Sequence, residues 1–595
     1  MTKQNSIEEK YTQPQHNTDV QSEPKKKKFR WTVDTSEHPP QVFNWTLYLS
    51  IFVFGILGAA RGYDEGNIAG NIALPSFQTR FGLNDESKSP DYIANLKSNI
   101  TSMVQLGCIG GAIIAAKTVD YLGRVRALQM ICILWVAAVI IQITSSSVGQ
   151  LYAGRAIEGL AIGHTTSIGP VYLSEVAPSP IRGLASCIFA GAVYFGILIG
   201  YLANYGCIAT VPATIDGNIN DNQWRYTLAP KIILAGLIFI MSFFFCLESP
   251  RWLLKVNKPE QAVENLSKLR NLPQDHAYTV AELSDIHEQV LSEKNATANS
   301  NIFNMLKRLV TVKSIAYRFF CIAGAAQVLG QWSGANAVTI YSNELFALAG
   351  IKGSIATLQM SCVLGTVKLV AAYAGAFFII DVLGRRKALY TGLTLQMVCI
   401  LYFAIFLTIV PQAADPKGVL SPSEASASKG ALAAIILSGA GWTIGFNSIQ
   451  YLIGSEIFPL DIRSFAQSLV MVLHFANQYG NSRALPSLIL ALKPYGAFYF
   501  FVAVMVLGLV FAFFLPELHG RSLESIEEIF TLPWYKLRHS TTLVPDHSQV
   551  HIVNVITRRS VVTNNLDSNK PEEIFIEKKK NIVDEECEVG SRYSK

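Results

Sequence analysis

The amino-acid sequence predicts an all-α membrane protein built from two equivalent halves. Its composition, its apolar stretches and one repeated charged signature carry that prediction. The chain of 595 residues is 50% hydrophobic and 15% charged, whereas soluble domains carry roughly a quarter charged residues. Twelve apolar stretches recur along it, six before and six after a hydrophilic segment at residues 248–313. Each is close to the ~20 residues that a helix needs to cross a bilayer. The pattern therefore predicts twelve membrane-spanning helices.

A charged signature occurs once in each half, in the same order. The first copy occupies residues 120–126 and 174–182, and the second occupies residues 381–387 and 455–463. Carriers built from parallel repeats use the interface between the repeats as a central site that faces each side of the membrane in turn. The repeat therefore predicts a transporter, which performs no covalent chemistry and is not an enzyme.

The placement of positive charge predicts the orientation of the chain. A basic cluster at residues 25–30 precedes the first span, and further basic residues occupy the short loops after spans two and eight. Because cytoplasmic loops carry an excess of Lys and Arg, both termini and the central loop are predicted to be cytoplasmic. The net charge of +6 is thereby explained by topology, and no nucleic-acid partner is expected.

The predicted organisation has five parts. Residues 1–42 form a polar cytoplasmic tail, 43–247 the N-terminal six-helix half, 248–314 a cytoplasmic central loop with short helices, 315–516 the C-terminal half, and 517–595 a second cytoplasmic tail. Both tails are too poor in aromatic residues to bury a core, so they are predicted to be mostly disordered. The nine cysteines are scattered singly, which predicts neither a disulfide framework nor a metal site. No cofactor is expected, and the polar N-terminus does not have the layout of a cleaved signal peptide.

Two ionisable residues inside apolar spans are candidates for function. Asp64 lies in span one and Arg155 in span four, and a charge inside the membrane is costly unless it is paired or functional. Movement that changes their separation would couple protonation of the carboxylate to access. A structural ion pair is the alternative. Lys368 in span eight and His164 in span four are also intramembrane, and the sequence assigns neither a role, although a hydrogen-bonded structural histidine is favoured for His164.

The repeated signature places acids and bases at matching positions in the two halves. Glu175 and Arg182 are seven residues apart, and Glu456 and Arg463 repeat this spacing. Two helical turns separate such residues, so each acid can meet a base of its own half or one from the loop after span two or eight. The repetition favours an interlocking gate network over a solvated charged surface. Its predicted members are Asp120, Arg124, Glu175, Arg182, Asp381, Arg385, Glu456 and Arg463.

Eight signatures in chain order resemble the sugar porter family of the major facilitator superfamily, most closely its fungal members. They occupy residues 62–66, 120–126, 154–183, 248–252, 331–341, 381–386, 455–463 and 516–520. The resemblance implies the major facilitator fold, with twelve helices in two pseudo-symmetric halves that alternate access. It also implies a plasma-membrane monomer in the lipid bilayer that carries a sugar. In proton-coupled members the residue matching Asp64 carries the proton and the one matching Arg155 tunes its charge, and the gate network closes the inside.

The family binds sugar through amide and aromatic side chains, and this chain keeps only part of that set. Gln331, Asn336 and Tyr341 match positions in span seven. Five other contact positions differ and are occupied by Ala190, Gly330, Leu369, Tyr451 and His474. Asn447 and Gln450 are placed to restore some hydrogen bonding from span ten. The predicted substrate-binding residues are therefore Gln331, Asn336, Tyr341, Asn447, Gln450, Tyr451 and His474.

The sequence favours transport of a sugar, in first place a monosaccharide, by proton symport. Two alternatives stay open. A sensor of the same fold would bind sugar and move none, and the missing contacts favour it slightly. A transporter of polyols or of other polyhydroxylated compounds, including acids, would make use of Lys368 and Arg155 if the substrate were anionic.

Overall fold

A computed structural model of the chain describes residues 38–297, 302–375, 385–414, 420–447, 457–459, 462–516, 529–530 and 536–537. These residues are almost entirely helical. Most of both predicted tails lies outside them, as do residues 376–384 and 448–456. The prediction that the tails are disordered therefore remains a prediction, and so do the five domain boundaries.

The N-terminal half begins with span one, which α1 and α2 form around a slight irregularity at Ile56 and Leu57. Polar caps and prolines mark several helix starts, as at Asn44, whose side chain accepts a hydrogen bond from the Leu47 amide. The helices are α1 Trp45–Gly55, α2 Gly58–Asn71, α3 Pro75–Phe81, α4 Pro90–Leu122, α5 Arg124–Ile143, α6 Val148–Val176, α7 Arg182–Thr210, α8 Asn222–Arg225 and α9 Ala229–Phe245. Two short strands, β1 Thr214–Ile215 and β2 Asn218–Ile219, pair antiparallel between α7 and α8.

Short helices fill the central loop, and broken helices follow in the C-terminal half. In α11, Ala262, Leu266 and Leu269 are buried on one face, as their spacing indicates. The helices are α10 Pro250–Lys255, α11 Pro259–Arg270, α12 Ala277–Thr297, α13 Ile302–Thr311, α14 Lys313–Ala316, α15 Ala325–Gln331, α16 Ala335–Ile340, α17 Ser342–Leu348, α18 Ser354–Ala374, α19 Arg385–Ile409, α20 Pro422–Trp442 and α21 Arg463–Phe514. Short 3₁₀ helices occupy Pro40–Val42, Ser179–Ile181 and Pro411–Ala414, and π-helical turns occupy Tyr317–Gly324 and Thr443–Asn447.

Within the described residues, nine helical segments are long and apolar enough to cross a membrane, or ten if one bent pair counts as a span. The charged helix α6 is not among them, and the segment that contains α21 is counted once although its backbone breaks at Lys493. The number of twelve membrane crossings therefore remains a prediction. The all-α membrane architecture itself is confirmed.

Glycines let helices of the N-terminal half approach each other at backbone distance. A Cβ added to Gly62 of α2 would lie 1.7 Å from the carbonyl oxygen of Val193 on α7. A Cβ added to Gly159 of α6 would lie 2.1 Å from that of Val104 on α4. Small residues at such interfaces are how helices associate closely in lipid. The close packing fixes the positions of α2 and α6, which carry Asp64 and Arg155.

Candidate functional site

Asp64 and Arg155 meet inside the N-terminal half, as their placement in apolar spans predicts. The Arg155 guanidinium donates from Nη1 to Oδ1 of Asp64 at 3.2 Å and from Nη2 to Oδ2 at 3.3 Å. Both side chains are almost completely buried. The Nε of Arg155 also donates to the carbonyl oxygen of Ile100 at 2.6 Å, which fixes the guanidinium between α2 and α4.

Two further charged residues complete this buried cluster. Lys231 of α9 donates from Nζ to Oδ1 of Asp64 at 2.8 Å and to Oε1 of Glu158 at 2.8 Å. Glu158 lies one turn after Arg155 on α6, and it accepts hydrogen bonds from Trp135 Nε1 at 3.0 Å and Gln142 Nε2 at 2.7 Å. We call Asp64, Arg155, Glu158 and Lys231 the charge quartet. With two acids and two bases it is electrically balanced, so no buried charge is left uncompensated.

A second polar network lies in the middle of the bundle and joins the two halves. Arg61 pairs with Glu65 one turn further along α2, at 3.1 Å between Nε and Oε1. Arg61 Nη2 also lies 3.2 Å from Nε2 of His474 and donates to Oε1 of Gln478 at 3.3 Å. Gln478 in turn donates to Glu65 Oε1 at 3.0 Å. Span one is thereby connected to α21 of the C-terminal half.

His474 links this network to span seven. Its Nδ1 lies 2.9 Å from Oε1 of Gln327 and 3.2 Å from Nε2 of Gln331. A neutral imidazole with its hydrogen on Nδ1 donates to the Gln327 oxygen and accepts from Arg61 at Nε2, and the nearby Gln331 nitrogen then has no acceptor on the ring. The predicted residues Gln331 and His474 are thus brought together.

Asn336 and Tyr341 also contact α21. Asn336 donates to Ser482 Oγ at 2.6 Å and accepts from Gln478 Nε2 at 3.3 Å. The hydroxyl of Tyr341 lies 2.9 Å from Thr101 Oγ1 of α4 and donates to the carbonyl oxygen of Ser482 at 3.1 Å. Asn336 therefore belongs to the central network, while Tyr341 joins the halves further along the bundle.

The central network is closely packed in this conformation. A cavity of only about 10 Å³ remains between Arg61, Glu65, Phe475 and their neighbours. A sugar-sized molecule does not fit there, so substrate binding requires the two halves to separate or the side chains to move. We call Arg61, Glu65, Gln327, Gln331, Asn336, His474 and Gln478 the central network.

The other predicted binding residues are less connected. Asn447 is half-buried in the π-helical turn, and the described residues give it no hydrogen-bond partner. Gln450 and Tyr451 lie outside the described residues. His164 is buried, and its Nδ1 lies 2.8 Å from the carbonyl oxygen of Leu160, the contact of a structural histidine.

Arg124 is the centre of the predicted gate network in the N-terminal half. Its guanidinium binds Glu175 through two contacts, at 2.9 Å from Nε and 2.7 Å from Nη2. Asp120 lies 3.5 Å from Arg124 and accepts from Lys255 at 2.6 Å. Three of the predicted members therefore come together.

The prediction that Glu175 and Arg182 lie two turns apart on one helix is wrong. Helix α6 ends at Val176, and Arg182 begins α7 beyond a 3₁₀ turn. The two residues are therefore not two turns apart on one helix, and Glu175 binds the alternative base, Arg124. In the second half, Asp381 and Glu456 lie outside the described residues, as do the side chains of Arg385 and Arg463.

Glu248, which the gate prediction did not include, holds the loop between α4 and α5. Its carboxylate accepts the backbone N–H of Arg124 at 2.7 Å and of Val125 at 3.1 Å. Burial raises the pKa of Glu248, and these N–H donors oppose the shift. Gly123 has a φ of 88°, and a Cβ there would lie 2.6 Å from the Glu248 carboxylate. The loop therefore requires glycine.

At the opposite end of the bundle from Arg124, which we call the distal end, side chains connect the halves directly. Lys97 of α4 pairs with Glu344 of α17 at 2.6 Å. Arg483 of α21 donates to Ser98 and Asn95 at 2.6 and 2.8 Å. A cavity of about 250 Å³ beside Lys97 and Glu344 is open at this end.

Sequence reasoning missed Lys231, Glu158, Arg61 and Glu65. All four are ionisable and lie inside apolar spans, so the rule that selected Asp64 applies to them as well. In the described residues no group of His, Cys, Asp or Glu is arranged to hold a metal ion.

The chain was compared with known families, proteins and structures. A family model described as "Sugar (and other) transporter" matches residues 28–530. The chain is similar to the "Probable quinate permease" of Neosartorya fischeri, with 31% identity over 521 residues, 86% of this chain and 92% of that protein. It is similar to the "Quinate permease" of Emericella nidulans, with 32% identity over 506 residues, 84% and 91% of the two chains.

Solved structures show the same fold. The proton:xylose symporter XylE bound to 6-bromo-6-deoxy-D-glucose matches with a TM-score of 0.65 and 22% identity, over 81% of this chain and 99% of that one. A partially occluded inward open conformation of XylE from E. coli matches with a TM-score of 0.64 and 20% identity, over 80% and 100%. The major facilitator fold is therefore confirmed. The chain belongs to the sugar porter family of that superfamily, whose members are membrane transporters and not enzymes.

Proposed function

We propose that this protein carries a small polyhydroxylated compound across the plasma membrane by alternating access, with a proton as the coupled ion. The observation that carries the proposal is the charge quartet. The quartet and the central network both include residues of helix α2. Asp64 belongs to the quartet, and Arg61 and Glu65 belong to the network. A change in either set is therefore transmitted through one short helix.

The quartet supplies a physical basis for proton coupling. In the described conformation the Asp64 carboxylate accepts from both Arg155 and Lys231, and all these donors favour its charged form. Protonation of Asp64 removes that attraction, while Lys231 keeps Glu158 as a partner. The protonated and deprotonated cluster thus differ in how strongly α2, α6 and α9 are held together. Such a difference is what shifts a population between two conformations.

The two ends of the bundle would act as alternate gates. With the predicted orientation, the distal end is extracellular, and its contacts from Lys97 and Arg483 close that side. The Arg124 cluster would stabilise the cytoplasmic side together with its counterpart in the second half. Each set of contacts must break when its own side opens.

The substrate would contact the amides of the central network. Gln331, Asn336 and Gln478 present donors and acceptors, which hydroxyl groups require, and Phe475 adds an aromatic surface. Asn447, Gln450 and Tyr451 would complete the site from span ten, and Tyr341 would close it on the distal side. A monosaccharide is one candidate. The names of the quinate permeases add a polyhydroxylated carboxylic acid as the second.

A sensor of the same fold is the alternative. Uptake into cells that lack endogenous carriers separates it from a transporter, because a sensor moves no substrate. We propose to measure uptake of labelled hexoses, pentoses, polyols and quinate, with and without a protonophore. Accumulation against a gradient that the protonophore abolishes supports the proposal. Absence of uptake for every compound in the panel at normal surface expression contradicts it, and equilibration without accumulation replaces symport by facilitated diffusion.

A further inference from the structure

Lys368 is a buried cation, and no carboxylate of the described residues pairs with it. It lies in the middle of α18, in the C-terminal half, and its side chain is only 1% exposed. Its ammonium donates to the hydroxyl of Thr339 on α16. No acid lies within ion-pair distance of it in the part of the chain that the structure describes. Within the described residues, Thr339 is the one hydrogen-bond acceptor of this ammonium.

This arrangement contrasts with two other deeply buried cations of the spans. Arg155 and Lys231 each contact a carboxylate in the charge quartet. A buried ammonium that lacks a counter-charge destabilises the protein. Within membrane spans such residues mark pathways for substrates or ions. Lys368 therefore points to a ligand that supplies the missing negative charge.

The surroundings of Lys368 hold its side chain in place. Thr339 is fixed from two further sides, because its hydroxyl donates to the Ala335 carbonyl oxygen at 3.0 Å and its own carbonyl accepts from Tyr201 at 2.6 Å. Gly439 of α20 leaves room for the lysine, since a Cβ there would lie 2.9 Å from the lysine Cε. Helices α7, α16, α18 and α20 thus meet at this ammonium.

Lys368 is also connected to the central network through span seven. Thr339 follows Asn336 by three residues on α16, so the two side chains share one face of that helix. Glu65 is the acid of that network. Arg61 and Gln478 bind Glu65, so it does not neutralise the ammonium by direct contact.

We propose that Lys368, held in place by Thr339, binds the carboxylate of the substrate, so that the transported compound is a polyhydroxylated carboxylate. This inference rests on the proposed transport function and names its substrate class. The ammonium donates to the carboxylate oxygens, while the Thr339 hydroxyl, which donates to Ala335, holds the ammonium in position. The amides of Gln331, Asn336 and Gln478 bind the hydroxyl groups. A charge-assisted contact of this kind is roughly twice as strong as a neutral hydrogen bond, so it discriminates an acid from a neutral sugar.

The test uses the full-length chain and three variants. Lys368→Met removes the charge and keeps the length, Lys368→Arg keeps the charge, and Lys429→Met is the control at an exposed lysine of α20. Competition for uptake is measured with quinate, a neutral cyclitol and a hexose. Thermal unfolding of the purified proteins is measured with and without quinate.

We expect Lys368→Met to raise the half-saturating concentration of quinate by about tenfold or more. Quinate should stabilise the wild type and Lys429→Met but not Lys368→Met, and Lys368→Arg should retain part of the effect. Without ligand, Lys368→Met should unfold at the same temperature as the wild type or higher, because an unpaired buried charge is removed. An unfolding temperature in that range excludes misfolding as the cause of the lost affinity.

Two results overturn the inference while transport stands. One is wild-type affinity for quinate in Lys368→Met. The other is a wild type that carries hexoses or cyclitols and does not bind quinate. A wild type that carries nothing in the panel contradicts the proposed function itself, and the inference with it.

Discussion

The two halves of the molecule differ in their buried polar side chains. In the N-terminal half, Asp64, Arg155, Glu158 and Lys231 are paired into a balanced set. In the C-terminal half, the centre holds amides, a histidine and Lys368, which has no ion-pair partner among the residues that the structure describes. Opposite charges at short distance satisfy one another, whereas amides and a lone ammonium retain capacity for a ligand. This difference supports the proposal that the proton binds in one half and that most substrate contacts lie in the other.

The C-terminal half contains interrupted helices. Helices α2 and α7 pack through glycines against carbonyl oxygens. Span seven instead contains a π-helical turn and a break at Gly334, where φ is 85°. Span ten has a second π-helical turn with a kink at Gly445. Such interruptions often occur at functional sites. Spans seven and ten of the C-terminal half therefore contain points at which a helix can bend.

The largest effect is expected from breaking the balance of the charge quartet. Lys231→Met leaves two acids facing one base in a dry environment, which should destabilise the protein by about 3–5 kcal/mol. Thermal unfolding and the yield of monodisperse protein measure this loss. The double variant Lys231→Met with Glu158→Gln restores the balance and should recover most of the stability. Equal losses in the single and double variants would show that packing, not charge, determines the effect.

Asp64→Asn tests whether the paired half carries the proton. The amide keeps the shape of the side chain and loses the titratable group, so proton-driven accumulation should disappear while some downhill exchange continues. Accumulation of substrate is measured with and without a protonophore. Asp91→Asn, in the exposed first turn of α4, is the control and should behave as the wild type. Continued accumulation by Asp64→Asn would place the proton site elsewhere.

Gln331→Ala and Asn336→Ala test the substrate role of the other half. Each removes a hydrogen-bonding amide from the centre and should cost roughly 1–3 kcal/mol of binding, seen as about a tenfold or greater rise in half-saturating concentration. Gln412→Ala, which changes an exposed amide at the distal end, is the matched control. The competing arrangement has the pocket on spans ten and eleven. It is supported if both variants keep wild-type affinity while His474→Ala loses it.

The smallest effect is expected at the distal contact between the halves. Lys97 and Glu344 are partly exposed, so their ion pair should contribute about 0.2–1 kcal/mol. Reversing the charge of Lys97 alone should raise labelling of Thr357→Cys, in the distal cavity, by at most about fivefold. Exchanging both charges should reverse the rise. If the exchange has no such effect, the pair does not contribute to closure.

Several elements of the site were predictable from single residues and their span. Asp64 and Arg155 were predicted together because each is a charged residue within an apolar stretch. In the structure, Nη1 of Arg155 lies 3.2 Å from Oδ1 of Asp64. Gln331, Asn336 and His474 were predicted from the family pattern, and contacts through Gln478 and Arg61 connect them. Glu175 was assigned two possible bases, and only the fold selects Arg124 over Arg182. Helix α6 ends at Val176 and a 3₁₀ turn follows at Ser179–Ile181, so Glu175 and Arg182 do not lie on one continuous helix.

The sequence by itself determined the membrane class, the helices and the repeat. Lipid offers the backbone no hydrogen-bond partners, so a long apolar stretch must form a helix, and this rule operates within each segment alone. Tertiary structure decided which charges meet. Positions 64, 158 and 231 are far apart in the chain, and no spacing relates Lys231 to Asp64 and Glu158 until α2, α6 and α9 pack together. Among the described residues, the same packing places no acid beside Lys368. Pairing depends on distances of about 4 Å or less between side chains, which only the fold sets.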